Sequence, residues 1–291
     1  MIEIHLSLLR GICQLPAYVA HANGIFWEQG LVAHITTSPS AWLIPEQLCS
    51  RTADFAVIPW TRVAAAEKNE APLKVVCGSG FEEAAIVVRA GLALEEVSSV
   101  AVPREGGMKD LTTMGLLGSL DWNRDRVEHL RFPSGDGAII CFFGNGADAA
   151  SMVEPYASMM EELRIGRVVR RTGDLWPGAP GCSLTTRAEL IDRDPDLVQR
   201  VVNAYVAASL FVNEKPDAAA EIGAPFIGVH VDVVRRALRV NRPNVDAIRN
   251  GTAIKQVLMF MQKLGYVQHL PQNFVELSFL DRAQRTIRSR S

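Results

Sequence analysis

The amino-acid sequence predicts an α/β protein of two lobes, each a mixed, mainly parallel sheet flanked by helices, with two hinge crossings between them. Three observations predict it. Strand-like and helix-like patterns alternate from the amino terminus, as βαβ units do. The alternation breaks at residues 84–89, an apolar strand with no helix before it, and then restarts. One unit also occurs twice: Ala53 and Asp54 lead through an apolar strand to Pro59 and Trp60, and Ala147 and Asp148 lead through another to Glu154, Pro155 and Tyr156.

The first lobe opens with a strand at 3–8, a helix over 16–29 and a strand at 32–36. Pro16 suits a first helical turn and Gly30 a left-handed cap, which limits that helix and places Trp27 on its core face. A helix over 41–50, a strand at 54–58, a helix near 61–68 and a strand at 73–77 follow. After the break come a strand at 99–102, a Gly106-Gly107 loop, a helix over 108–120 and a strand at 127–132. A helix over 136–143, a strand at 149–153, a helix over 156–163 and a strand at 167–172 complete the second lobe.

Residues 181–185 read as the return crossing, and from Arg187 on the pattern is mostly helical. Asp194 as cap and Pro195 in the first turn open the clearest helix. Its core stripe is Leu197, Val201, Tyr205, Ala208 and Phe211, at three- and four-residue spacing. Later helices are expected near 232–239 and 254–264. Two crossings imply a discontinuous first lobe, 1–87 with 183–291, a continuous second lobe, 88–182, and a hinge near 85–90 and 181–186.

At 291 residues, 48% hydrophobic and 21% charged, the chain has apolar material for two cores, which disfavours disorder. A net charge of −2 spread over interspersed acids and bases offers no basic face for nucleic acid. Only the tail, with Arg282, Arg285, Arg288 and Arg290, is locally basic. No apolar run approaches the ~20 residues of a membrane helix, so no membrane insertion is expected. The chain enters a strand at once, without a signal-peptide pattern. The expected location is therefore the periplasm if an export signal has been omitted, and the cytoplasm if the chain is complete as shown. The five cysteines, Cys13, Cys49, Cys77, Cys141 and Cys182, form no C-x-x-C pair, and the six histidines form no cluster of ligand spacing. Reduced thiols, no metal, no cofactor and a monomer are expected.

Several segments, in order, carry a resemblance: AHANGIFWEQGL at 20–31, RTADFAV at 51–57, GADA at 146–149 with EPY at 154–156, DPDLV at 194–198, LGYV at 264–267 and ELSFL at 276–280. Together they span essentially the whole chain. It resembles the ABC-transporter solute-binding proteins for nitrate, taurine, aliphatic sulfonates and thiamine pyrimidine precursors. The resemblance implies the type II periplasmic-binding-protein fold. It also implies capture of a small organic solute (sulfonate, carboxylate or pyrimidine-like) between two lobes, for delivery to an ABC permease. The fold is reused by cytoplasmic enzymes, among them chorismate dehydratase, dihydroxyphthalate decarboxylase and a fungal pyrimidine synthase whose cysteine cluster is missing here. A lyase or synthase acting on an aromatic or cyclic acid, and a ligand sensor, stay open as alternatives.

Ligands of open α/β sheets lie outside the carboxyl ends of the strands. The expected cleft is therefore lined by 10–18, 37–42, 59–61 and 79–81 from the first lobe, and by 103–109, 134–137 and 154–156 from the second. Within it Trp42, Trp60, Tyr18 and Tyr156 could clamp a flat ligand, with Trp176 and Pro59 beside them, or each aromatic could pack within its own lobe. Ser38, Ser40, Ser79 and Gly80 lie near turns or helix starts whose N–H groups could hold a sulfonate or carboxylate. Arg104 and Lys109, around Gly106 and Gly107, could add positive charge. Gly11, Cys13 and Gln14 follow the first strand.

Glu154 could bond an amine or ring nitrogen, act as general base in an enzyme, or pair with an arginine at the lobe edge. If the chain were an enzyme, Glu154 and Cys13 would be the catalytic candidates. Cys13 or Cys182 could face the cleft beside His21 or His230.

Overall fold

A computed structural model describes residues 1–66, 72–105, 108–119, 122, 125–133 and 135–288. The expected helix ends at 68 and 120, and Arg290 of the basic tail, lie outside them. Strands β1 (Ile2–Leu8), β2 (Leu31–Thr37), β3 (Phe55–Pro59) and β4 (Leu73–Gly78) belong to one five-stranded sheet. Strands β5 (Ala84–Arg89), β6 (Ser99–Pro103), β7 (Glu128–Phe132), β8 (Ala149–Val153) and β9 (Gly166–Arg171) form the other. The chain then returns as β10 (Cys182–Arg187) to complete the first.

The orders are β2-β1-β3-β10-β4 and β7-β6-β8-β5-β9. In both sheets the fourth place is taken by the strand that has just crossed over, and that strand runs antiparallel to its two neighbours. The other pairings are parallel. The two lobes therefore share one topology, and the two-lobed α/β fold expected from the sequence is the fold observed.

Both returning strands lie wholly within one sheet, so the crossings fall just before them, at 79–83 and 172–181, rather than inside them. An apolar strand buried on both faces shows no alternation, and sequence cannot separate it from a strand that passes between lobes. The two connections are joined. The Gly80 N–H donates to the Cys182 carbonyl at 2.6 Å, the Gly181 N–H donates to that of Gly80 at 2.7 Å, and Phe81 bridges Pro180.

The repeated Ala-Asp unit sits at the sheet end away from the cleft. Asp54 accepts the His5 N–H at 3.0 Å, and Asp148 accepts those of Ser98 and Ser99 at 2.9 and 3.1 Å. Asp54 thereby ties the start of β3 to β1, and Asp148 ties the start of β8 to β6.

The helix expected over 16–29 is broken. Gly24, at φ 71°, separates Leu15–Ala22 from Ile25–Glu28. A left-handed residue resets the 3.6-residue count, and Trp27, expected on the core face, is 64% exposed. The helix Pro195–Glu214 starts as expected, with the Asp194 carboxylate accepting the Leu197 N–H at 3.0 Å. Helices Pro216–Ile227 and Ser278–Arg288 fill the mostly helical stretch that the sequence left undivided. One apolar core runs through both lobes, and a smaller one lies around Trp122 and Leu116 in the second. No helix of the described residues is long and apolar enough to cross a membrane.

Candidate functional site

A cavity opens at the carboxyl ends of the strands of both sheets, and water-sized molecules can fill about 90 Å³ of it. The first lobe lines it with Leu9 and Arg10 after β1, Ser38 to Trp42 after β2, Pro59 at the end of β3 and Arg62 after it. The second supplies Pro103 at the end of β6 and Arg104 after it, Pro133 and Asp136 after β7, and Val153 at the end of β8. Glu83 and Cys182, at the two crossings, form its floor with Cys13.

The lobes touch across the cavity mouth. The Ser40 hydroxyl and the Trp42 indole N–H both donate to the Pro133 carbonyl at 3.0 Å. The Arg104 guanidinium lies over the Trp42 ring at 4.5 Å. Deeper in, the Ile12 N–H donates to the Glu154 carbonyl at 3.1 Å. These bonds join loops beyond β1 and β2 to loops beyond β6, β7 and β8, so the structure is a closed one.

Of the residues expected in the cleft, Cys13, Ser38, Ser40, Trp42, Pro59 and Arg104 line the cavity, as do Lys109 and Cys182. Others turn away from it. Tyr18 is buried, donates to the Leu9 carbonyl at 2.7 Å and stacks on Phe226, so it is no clamp; burial pushes its hydroxyl up to about 12. Trp60 is fully buried against Phe274, and its N–H donates to the Pro180 carbonyl at 2.9 Å, tying the first lobe to the return crossing. Trp176 packs beside Phe260 in the protein interior. The corrections at Tyr18 and Trp60 share a cause, because each large aromatic buries most area by folding back onto its own lobe, whereas Trp176 packs across onto a helix of the first lobe.

Gln14 is consumed by bonds to the Leu9 N–H and the Val57 carbonyl. Ser79 donates to the Cys13 carbonyl at 2.5 Å and accepts from Tyr205 at 2.7 Å. Gly11 packs against the Glu154 carbonyl, and Gly80 belongs to the joined crossings. Tyr156 is buried beside the cavity, and burial followed by the Asp136 charge pushes its hydroxyl up. Glu154 is also outside the lining: one carboxylate oxygen accepts from Arg171 at 2.9 Å and the other from the Ser158 N–H at 3.0 Å. His21 meets Phe226 edge-on, and exposed His230 caps a helix by accepting the Asp232 N–H. Neither lines the cavity. Gly106, Gly107 and position 134 lie outside the described residues.

Arg10 and Asp136 fall within the expected lining segments 10–18 and 134–137, whereas Arg62 and Glu83 line the cavity outside every expected segment. Arg10, Arg62 and Asp136 are each the first charged residue beyond a strand's carboxyl end, a signal that could have found them. Arg10, Arg62, Arg104 and Lys109 face two carboxylates, Glu83 and Asp136, leaving a positive excess in the wall. Burial lowers the Lys109 ammonium from its ordinary value, opposed by the charges of Cys182, Asp136, Glu83 and Cys13.

The floor brings together what the sequence scatters. Among the described residues, the Cys13 and Cys182 sulfurs and a Glu83 oxygen lie within 4.8 Å of one another. The Cys182 thiol donates to Glu83 at 3.0 Å, and the Gln14 amide donates to the Cys13 sulfur at 3.3 Å. A hydrogen bond from Cys182 favours the Cys13 thiolate, but burial and the Glu83 charge outweigh it and push that thiol up. Cys182 is pushed well up by its bond to Cys13, by burial and by the neighbouring charges. A thiol held in that state is a poor nucleophile. Positions 13, 83 and 182 share no local spacing, which is why the sequence analysis expected no metal site.

The sequence profile of the NMT1-like family matches residues 3–225. The chain belongs to the NMT1-like family. No curated protein sequence matches it. Among solved structures, this NMT1-like chain is similar to the ligand-binding component of an ABC-type import system from Staphylococcus aureus, solved with zinc bound. The TM-score is 0.84 at 16% identity, over 98% of this chain and 100% of that one. It is also similar to the periplasmic nitrate-binding protein NrtA from Synechocystis PCC 6803, with a TM-score of 0.84 at 12% identity, over 99% and 89% of the two chains. The periplasmic aliphatic sulphonate binding protein SsuA from Escherichia coli follows at 0.76 and 13%, over 93% and 90%. At such identities the likeness is one of fold, and the fold is that of the periplasmic binding proteins.

Proposed function

We propose that this NMT1-like chain is the substrate-binding protein of an ABC-type importer, closing its two lobes over a small organic solute that carries an anionic group. The observation that carries the reading is the cavity itself. Both lobes wall it at the carboxyl ends of their sheets, four cationic side chains face two carboxylates across it, and Trp42 and Ser40 reach from one lobe to the Pro133 carbonyl of the other. The solute's anionic group, a sulfonate or carboxylate, would meet Arg10, Arg62, Arg104 or Lys109, with Trp42 covering its organic part. The joined crossings at Gly80 and Gly181 serve as the hinge. Contacts made only in the closed form, such as those of Trp42, would let the solute shift the population toward closure. Its structural neighbours, a nitrate-binding and a sulphonate-binding protein among them, support the reading, with an ABC permease as the receiving partner and the periplasm as the place of capture.

The test is a thermal-shift panel of sulfonates, nitrate, pyrimidines and aromatic acids, each hit then incubated with protein and analysed by mass spectrometry. A binding protein is stabilised by an anionic solute, by about 2.7 kcal/mol at a hundred times its Kd, and returns it intact. Conversion of the hit to a product would replace this reading with that of an enzyme on the same fold.

A further inference from the structure

We propose that Cys13, Glu83 and Cys182 form a site for a thiophilic divalent cation of the Zn²⁺ class in the floor of the cleft. Cys13 follows β1, Glu83 ends the outward crossing and Cys182 begins β10, so the two crossings gather the three at one point. Their donor atoms lie within 4.8 Å of one another, and the residues are 6%, 5% and 4% exposed. A tetrahedral ion with Zn–S of about 2.3 Å and Zn–O of about 2.1 Å holds its ligands about 3.5 to 3.8 Å apart, a spacing inside the 4.8 Å that encloses the three donor atoms, and the Cys182–Glu83 pair, now at 3.0 Å, opens by about half an ångström to reach it.

Two observations beyond proximity point to a ligand. The second Glu83 oxygen is buried and has no hydrogen-bond partner. Leaving a carboxylate oxygen so is costly, and a cation is a group that would satisfy it. The fold also keeps space for that carboxylate, because a Cβ added at Gly80 or Gly181 would collide with it. Two thiolates and a carboxylate around a divalent ion leave one net negative charge, which the Lys109 ammonium nearby offsets. Three protein ligands leave the fourth tetrahedral position open, and all three line the cleft cavity, so that position faces the space where a solute would sit.

The test is a titration of the reduced protein with Zn²⁺ against a chromogenic chelator, and in parallel with Co²⁺. One equivalent should bind, about tenfold or more tightly than to Cys182→Ser, Cys13→Ser or Glu83→Gln, and the Co²⁺ complex should show a thiolate charge-transfer band in the near ultraviolet. Failure to bind one equivalent, equal binding by the variants, or a Co²⁺ spectrum without that band would overturn the site. Because the variants alter buried residues, the unaltered protein supplies a second readout. Zn²⁺ should protect Cys13 and Cys182 from a small alkylating reagent while Cys49 and Cys141, both half-buried, react alike with and without it. Equal labelling of Cys13 and Cys182 in both conditions sinks the proposal. Neither experiment contains a solute, so their results stand apart from the transport function proposed above.

Discussion

The two lobes are one topology built twice, and they differ in how deeply they bury the same device. In each sheet the antiparallel strand ends on an arginine that reaches back to the loop before the third strand. Arg187 donates to the Leu48 and Ala53 carbonyls at 2.8 and 2.7 Å, and Arg89 donates to the Phe142 and Ala147 carbonyls at 2.8 and 2.6 Å. Ala53 and Ala147 are the residues before the repeated aspartates, so the sequence repeat marks a backbone loop that each arginine staples shut. In the first lobe the staple is 3% exposed and also faces Asp54 at 3.4 Å. In the second it is half-buried, lies over the Phe142 ring at 4.8 Å and reaches the Asn145 side chain. A repeated motif thus keeps one geometry in both lobes, while the burial of the two copies differs.

The sharpest way to break this comparison is to remove both staples in turn. Arg187→Met should lower stability by about 3–5 kcal/mol, because it leaves buried acceptors and Asp54 uncompensated, whereas solvent can replace part of Arg89, and Arg89→Met should cost about 1–2 kcal/mol. Urea unfolding of the two variants measures this. Equal losses would mean that burial does not distinguish the lobes.

The strand ends diverge in a second way, and a smaller effect sorts them. Trp60 turns into the first lobe and Glu154 pairs with Arg171, while Trp42 crosses to the other lobe. Trp60→Phe should cost about 1 kcal/mol and Glu154→Gln about 1–3 kcal/mol of stability, with solute affinity unchanged. Trp42→Ala should instead weaken the solute identified in the panel by about tenfold, some 1.4 kcal/mol, with little loss of stability in its absence. Calorimetric titration beside thermal unfolding separates the two classes. An affinity loss in Trp60→Phe that matches Trp42→Ala would return Trp60 to the cleft.

The smallest effect concerns the repeated aspartates. Burial works against the charge of Asp148, but hydrogen bonds from Ser98 and Ser99 outweigh it and hold its carboxyl below the usual range. A carboxyl lowered by folding adds stability above its unfolded value of about 3.9, and that stability is lost as the pH falls through the lower folded value. Asp148→Asn should therefore cost about 1 kcal/mol near neutral pH and progressively less as the pH falls below about 4. Urea midpoints across an acid series read this out, and a constant difference down to the lowest pH would rule the linkage out.

Much of the fold was legible because its signals are local. The strand β5 is an unbroken apolar run, Asp194 and Pro195 announce their helix, and Gly30 ends its own. The site was legible only in part. Ser38, Ser40, Trp42, Pro59 and Arg104 follow from the rule that loops beyond carboxyl ends face the cleft. Which side chain of such a loop turns outward depends on what lies behind it, as Tyr18 and Phe226, or Trp60 and Phe274, show across long stretches of chain.

By itself the sequence determined the alternation of elements, the break that divides the lobes and the repeated Ala-Asp loop, because each is written in neighbouring residues within one turn or strand. Only the tertiary structure decided that Trp27 faces solvent, that Glu154 answers to Arg171, and that Cys13, Glu83 and Cys182 meet. Those outcomes depend on a left-handed glycine that rotates a helix and on two crossings that bring distant residues to one point, and no spacing along the chain encodes either.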